Sequence, residues 1–296
     1  MNPFYAGNAL NLASLFMIAG TGAAFSIKSG NLNFGGEGQV YLGGFIGALI
    51  LAFLPEALPP FICVFIALIA AFTVSGLLSL TSGLLKHFKN ADFLFTSFLA
   101  SSAICPVISG LIAGPCRSKT DNLLATPFIP EAVRFKSILP PSSLNISFFM
   151  GAVLCVAFYF IITKTTYGKK MSIYGISPEF SKYAGYNNLQ LMMSNSFISG
   201  GMHGITGCVA ILGTYFTCHD GFYAGLGWSA FSAALLAKAN PLLLIPSSLF
   251  LGFLTTYANR FAFMNSINFD VSSLIQSVIL LLISFTVYKK GASNAD

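Results

Sequence analysis

Residues 57–85 contain no Asp, Glu, Lys or Arg. Further uncharged stretches cover 38–55, 93–116, 137–163, 183–219, 221–237, 239–259 and 271–288. Several reach the roughly 20 residues that a helix needs to cross about 30 Å of hydrocarbon. Isolated strands would leave their backbone groups unpaired in lipid. The alternating runs of about ten residues that mark an outer-membrane barrel are absent. The pattern therefore predicts an all-α polytopic integral membrane protein. Composition agrees: 55% of residues are hydrophobic and 8% charged, where soluble domains carry about 25% charged residues. Fifteen Lys+Arg and nine Asp+Glu cannot clothe a water-soluble chain of 296 residues. A soluble enzyme, a disordered tail and a secreted disulfide scaffold are excluded.

The expected spans are 9–26, 36–54, 59–84, 92–113, 143–163, 189–212, 223–238, 241–259 and 270–288, about nine transmembrane helices with a range of eight to ten. The pair 223–238 and 241–259 is unusual, since only Ala239 and Asn240 separate its members. One member of that pair is expected to be broken or re-entrant. Basic residues orient the chain. With the N-terminus outside, the cytoplasm receives Lys28, Lys86, Lys89, Lys164, Lys169, Lys170, Lys182, Lys238, Lys289 and Lys290. The outside receives Arg117, Lys119, Arg134, Lys136 and Arg260. That excess places the C-terminus in the cytoplasm. The whole chain, 1–296, reads as one transmembrane domain. It has an extracytoplasmic loop at 114–142, rich in proline, and a cytoplasmic loop at 164–188. Within the latter, Ser177-Pro178-Glu179 looks like a helix start, with Ser177 as the cap and Pro178 in the first helical position.

Polar residues at bilayer depth are few. The segment SGNLNFGGEGQ at 29–39 interrupts two apolar runs with glycines, amides and Glu37, and is a poor helix former. An acid there must face a cavity or a partner. Asn31, Asn33 and Glu37 either cap the second span or line a pathway. Asn195 and Trp228 are further pathway candidates. His203, beside Gly201 and Gly204, reads as a packing histidine. His219, flanked by Cys218 and Asp220, does not make a metal site, because adjacent residues cannot converge on one ion. The six cysteines contain no CxxC and read as small apolar fillers. Nucleotide and hydrolase motifs are missing: GPCRSKT at 114–120 lacks the Gly-Lys-Ser/Thr ending of a phosphate loop. The chain thus has no means of hydrolysing ATP, and no catalytic or metal residues are assigned.

Three stretches resemble the transmembrane permease subunits of ABC importers in the branched-chain amino acid and simple-sugar class. Within that class they are nearest to the nucleoside and simple-sugar permeases that work with basic-membrane-protein-type lipoproteins. The first is 29–39, similar to SGxxNxGxEGQ. The second is GKKMSIYGISPEFSKYAG at 168–185, similar to GxxxRAxGxNPxAAxYxG. It matches at Gly168, Gly175, Pro178, Tyr183 and Gly185, with Ser172 and Ser177 replacing the usual arginine and asparagine. The third is GLGWSAFSAALLAKANP at 225–241, similar to GxGFxGIAVALLGxxNP. The residues Pro127, Ile129, Pro130, Glu131 and Ala132 also resemble the outer loop of the nucleoside branch.

The resemblance implies the pore subunit of an ATP-driven importer, moving nucleosides or simple sugars from an extracytoplasmic binding protein to the cytoplasm. It implies a second permease chain (the same or a related one), two cytoplasmic ATP-binding subunits that carry ATP-Mg, and an extracytoplasmic substrate-binding lipoprotein. No cofactor is expected in this chain, and the location is the bacterial cytoplasmic membrane. Gly175, Pro178 and Glu179 are the expected ATPase-coupling residues. Asn33, Glu37, Asn195 and Trp228 are the expected substrate pathway. The alternative is an ion-coupled secondary transporter, which would need paired intramembrane acids and often inverted repeats.

Overall fold

The computed structural model describes residues 3–54, 58–119 and 123–267, and isolated positions between 271 and 281. The expected span 270–288 lies largely outside the described residues. Ten α-helices are described: α1 (Pro3–Lys28), α2 (Gly36–Phe53), α3 (Pro60–Lys89), α4 (Phe93–Ala113), α5 (Ser147–Lys164), α6 (Thr166–Ile176), α7 (Pro178–Tyr183), α8 (Asn188–Ala210), α9 (Leu226–Leu236) and α10 (Pro241–Met264). Seven are long and apolar enough to cross a membrane: α1 to α5, α8 with its extension to Tyr215, and α10. The architecture is all-α and polytopic.

The helices sort into an inner and an outer set by side-chain size. In α1, α2 and α8, 67 to 83% of the apolar stretch is buried; in α3, α4, α5 and α10 the share is 22 to 33%. The inner helices carry the small residues. Gly200 and Gly204 of α8 face α3 at Ser75, Ser79 and Ala71, while Gly207 faces the backbone of α2 at Val40. Such contacts let backbones approach closely, which drives helix association where lipid gives no hydrophobic contrast. The outer helices instead present Phe65, Ile69, Phe95, Phe149, Val153 and Phe250 outward. So large an apolar exterior would be an aggregation surface in water and is the expected surface in lipid.

The segment expected to span at 223–238 is shorter than that. Helix α9 has 11 residues, about 16 Å of helix, about half of a crossing. It begins at Gly225, with φ +82, and ends in a reversal where Lys238 and Ala239 both have positive φ. Asn240 then caps α10, its Oδ1 accepting from Leu242 N at 3.0 Å. The expected break between these two helices is therefore a half-length α9.

Helix α8 ends in a π-helical turn, Ile211–Tyr215, closed by Phe216 in the left-handed region. Two buried amides stitch this turn: Asn145 Nδ2 donates to Gly213 O at 3.1 Å and Asn11 Nδ2 to Thr214 Oγ1 at 2.9 Å. The irregular backbone that follows is paired with the 123–135 segment. Thr126 N donates to Cys218 O, Ile129 N to Phe216 O, Phe135 N to Leu212 O, and Asp220 N to Leu124 O, all within 2.8–3.1 Å. Non-helical backbone near a bilayer needs partners of this kind. The proline-rich segment is thus a packed wall rather than a free loop.

Candidate functional site at the meeting of three motifs

The segment 29–39 joins α1 to α2 and is an elbow held by side chains. Asn33 is buried. Its Nδ2 donates to Gln39 Oε1 at 2.9 Å and to Ser199 Oγ at 3.0 Å, and its Oδ1 accepts from Gln39 Nε2 and Gly35 N at 3.0 Å. This reciprocal amide pair closes the elbow across α8. Helix α4 supplies the partners that the first turn of α2 lacks: Ser97 Oγ accepts from Phe34 N at 3.1 Å, and Ser101 Oγ from Gly38 N at 2.6 Å. Helix N-termini leave N–H groups unpaired, and here neighbouring serines satisfy two amides of the approach to α2.

Glu37 does not cap its own helix. Its Oε2 accepts from Gly225 N at 3.1 Å and its Oε1 from Trp228 N at 3.0 Å. The carboxyl thus serves the start of α9, where Gly225 has no side-chain cap of its own. A methyl on Gly227 would lie 2.5 Å from Glu37 N, so the first and third motifs touch backbone to backbone. Around them, Phe34 stands edge-on to Trp228 at 5.3 Å and to Phe231 at 4.8 Å, and Phe98 lies 6.5 Å from Trp228. Asn33, Phe34, Gly36, Glu37, Gly227, Trp228 and Phe231 line a small cleft. Trp228 is 36% exposed and Phe98 43%, so this aromatic group is partly open at the surface of the chain. Ser101 stands eight residues along α4 from Phe93, about 12 Å from that end. The junction therefore lies within the length of α4, away from either end of that helix.

The other end of the elbow meets the second motif. Gly30 has φ +68, and a methyl on it would stand 2.6 Å from Gly175 O; a methyl on Gly175 would collide with Lys28 O. Both positions require glycine, one for its dihedral and both for the close approach. Downstream, Ser177 caps α7 by accepting from Phe180 N at 3.2 Å, as the Ser-Pro-Glu signal predicts. Pro178 O accepts from Asn188 Nδ2 at 2.7 Å, and Glu179 is exposed. Ile176, Phe180 and Tyr183 are also exposed, at 86, 60 and 91%. Such a short apolar ridge was not anticipated from spacing.

Of the expected pathway residues, Asn33, Glu37 and Trp228 come together, and Asn195 does not join them. Asn195 is buried on α8, where its Oδ1 accepts from Tyr167 OH of α6 at 2.7 Å. His203 is buried with Nδ1 2.8 Å from Ser199 O, a packing arrangement. Among the described residues no group of three His, Cys, Asp or Glu is placed to hold a metal, and the six cysteines are free thiols.

Residues 5–284 match the family described as branched-chain amino acid transport system / permease component. The chain belongs to this family. The permease is 31% identical over 280 residues to the probable riboflavin import permease protein RfuC of Treponema pallidum, covering 92% of this chain and 72% of that one. It is 24% identical to the guanosine ABC transporter permease protein NupP of Bacillus subtilis, covering 95 and 81%, and 22% identical to the glucose ABC transporter permease protein TsgB13 of Haloferax volcanii, covering 93 and 74%. No solved structure matches it. The permease is a multi-pass protein of the bacterial inner membrane and a non-catalytic transport subunit. Family membership implies the usual importer assembly of paired permeases, ATPase subunits and a binding protein.

Proposed function

We propose that this permease is the pore subunit of an ATP-driven importer for flat, uncharged nitrogen heterocycles that carry a pentose or a five-carbon polyol. That chemistry is shared by guanosine and riboflavin, which the names of two relatives carry. The expectation from sequence was broader, nucleosides or simple sugars. The observation that carries the narrower reading is the Glu37–Trp228 junction. A carboxyl group set between apolar helices must face water, a partner or a ligand, and here it is set among the partly exposed rings of Trp228, Phe98 and Phe34. Aromatic faces stack heterocycles at about 1–3 kcal/mol per base, and a carboxyl accepts from ring N–H groups. Asn33 shapes the cleft through its amide pair, while Glu37 and Trp228 meet the substrate.

In this reading the chain is one transmembrane domain with its N-terminus outside and its C-terminus cytoplasmic, as the basic residues argue. The 114–142 segment meets the binding protein. The 164–188 segment meets the ATPase, with Glu179 and the Phe180–Tyr183 ridge as the contact surface, Pro178 fixing α7 and Gly175 passing movement to the elbow. Linkage requires the ATPase to bind the pore's states with different affinity, and a backbone contact at Gly30 and Gly175 can transmit that difference without slack.

The test is uptake of labelled guanosine, riboflavin and glucose by proteoliposomes holding the permease with its co-encoded partners, with ATP or a non-hydrolysable analogue. Hydrolysis-dependent uptake of a heterocycle but not of glucose is the expected result. Glucose uptake alone would overturn the substrate class, and gradient-driven uptake without hydrolysis would overturn the importer reading.

A further inference from the structure

A second polar group lies on the same face, toward the other end of α4. Ser109, two turns beyond Ser101 and about 12 Å along the helix, donates to Asp220 Oδ1 at 2.6 Å. Tyr41, one turn beyond Glu37 on α2, donates to the same oxygen at 3.0 Å. Tyr41 stacks on Tyr223, with ring centroids 4.3 Å apart and planes 27° from parallel, and Phe222 closes the far side edge-on at 5.7 Å. Asp220 itself is exposed.

Two features separate this group from ordinary packing. Among the described residues the one ion pair joins Arg134 to Glu131, so Asp220 has no basic partner. Both hydroxyls donate to Oδ1, and among the described residues nothing donates to Oδ2. A carboxylate anchored through one oxygen, with the other turned out beside a stacked tyrosine pair, presents acceptor capacity and a ring face together.

We infer that Asp220, Tyr41, Ser109 and Tyr223 form an outer substrate station, which takes the N–H edge of a neutral heterocycle on Asp220 and its ring against the tyrosine pair before the ring passes to Glu37 and Trp228. The inference rests on the importer reading above. The two hydroxyls fix the carboxylate so that it meets the ligand without first ordering itself. The station also selects by charge. An incoming phosphate would meet an unpaired carboxylate, so the unphosphorylated compound passes and its phosphate ester is turned away at the permease. Sequence inspection did not mark the group, because its members come from three separate parts of the chain.

The experiment uses the assembled complex in two arms. In the first, wild-type complex without binding protein is irradiated with 8-azidoguanosine and the labelled peptides are mapped. In the second, ATP-driven guanosine uptake is compared for wild type, Asp220→Asn and Tyr41→Phe, with guanosine and inosine run in parallel because inosine lacks the exocyclic amine. The station predicts label in the 216–225 region, a rise of at least tenfold in KM for guanosine in Asp220→Asn, and a KM ratio of inosine to guanosine that moves toward one. A smaller rise is expected for Tyr41→Phe, which keeps the stack. Wild-type uptake with no label at 216–225 and an unchanged inosine-to-guanosine ratio in Asp220→Asn overturns the station and leaves the importer reading standing. Absence of heterocycle uptake by wild type overturns both. The labelling arm needs no variant, so a folding defect in Asp220→Asn does not blunt the test.

Discussion

Gly30 and Gly175 meet without side chains between them: a methyl on Gly30 would stand 2.6 Å from the carbonyl oxygen of Gly175. They belong to motifs more than a hundred residues apart in the chain. Backbone cannot yield to a new Cβ as the end of a flexible side chain can, so a methyl here must separate the two segments.

Gly175→Ala is therefore expected to loosen α6 from the elbow while leaving the membrane helices folded. In proteoliposomes, substrate uptake should fall at least tenfold, while ATP hydrolysis by the assembled complex falls much less. Equal losses in the two would argue against a transmitting role. Gly30→Ala adds strain at φ +68 and should be the more severe of the pair.

Glu37→Gln tests whether the carboxyl works as a cap, as a ligand, or as both. The amide keeps one acceptor, but its NH2 must face either Gly225 N or Trp228 N, both of which are donors. Loss of a cap costs about 0.5–2 kcal/mol, which thermal unfolding in detergent would register as a Tm lowered by a few degrees. Glu37→Gln is also expected to reduce guanosine uptake tenfold or more. A stability loss with undiminished uptake would leave Glu37 as a cap alone.

Trp228→Ala removes a ring face but leaves the backbone N–H that Glu37 accepts. With stacking worth about 1–3 kcal/mol, KM for guanosine should rise roughly 5- to 160-fold, and Trp228→Phe should recover most of it. An Ala variant with wild-type KM would remove Trp228 from the pathway.

Tyr167→Phe leaves the buried Asn195 Oδ1 without its 2.7 Å donor, and Asn195 Nδ2 already lacks a partner among the described residues. An orphaned buried acceptor costs about 1–3 kcal/mol. The expected outcome is a lower Tm with KM unchanged, since Asn195 sits between α6 and α8 and away from the cleft. A change in KM alone would return Asn195 to the pathway.

The uncharged stretches located the long described helices, with ends off by up to six residues, because in lipid burial and backbone pairing impose the same requirement on each span. Patterning flagged a broken or re-entrant member in the pair 223–238 and 241–259 but not the length of α9, whose 11 residues look like the end of a crossing. What decides their length is Gly225 and the left-handed pair Lys238 and Ala239, and the latter two are residue types that do not signal a reversal. Asn33, Glu37 and Trp228 were readable as unusual residues, and their convergence was not. Glu37 was expected either to cap α2 or to line a pathway; its carboxyl reaches α9 instead of its own helix, and no spacing rule relates residues 37 and 228. Asn195 stood out as a polar group on an apolar helix, but its bond runs to α6. Tyr41 and Ser109 passed unnoticed, and Asp220 was weighed only beside His219 as a metal ligand, because each is ordinary in its own surroundings.

The pairing of 123–135 with 212–220 bears on any attempt to trim or graft the outer segment. Four backbone bonds hold the two strips together, and Arg134 locks its own strip by donating twice to Ile129 O, at 3.0 and 2.8 Å, while stacking on Phe216 at 5.1 Å. Cutting the segment out would strip amides and carbonyls of their mates at the end of α8, so a deletion chimera would be lost to misassembly before recognition could be scored. The two strips are one exchangeable cassette: a transplant between relatives should carry both or neither.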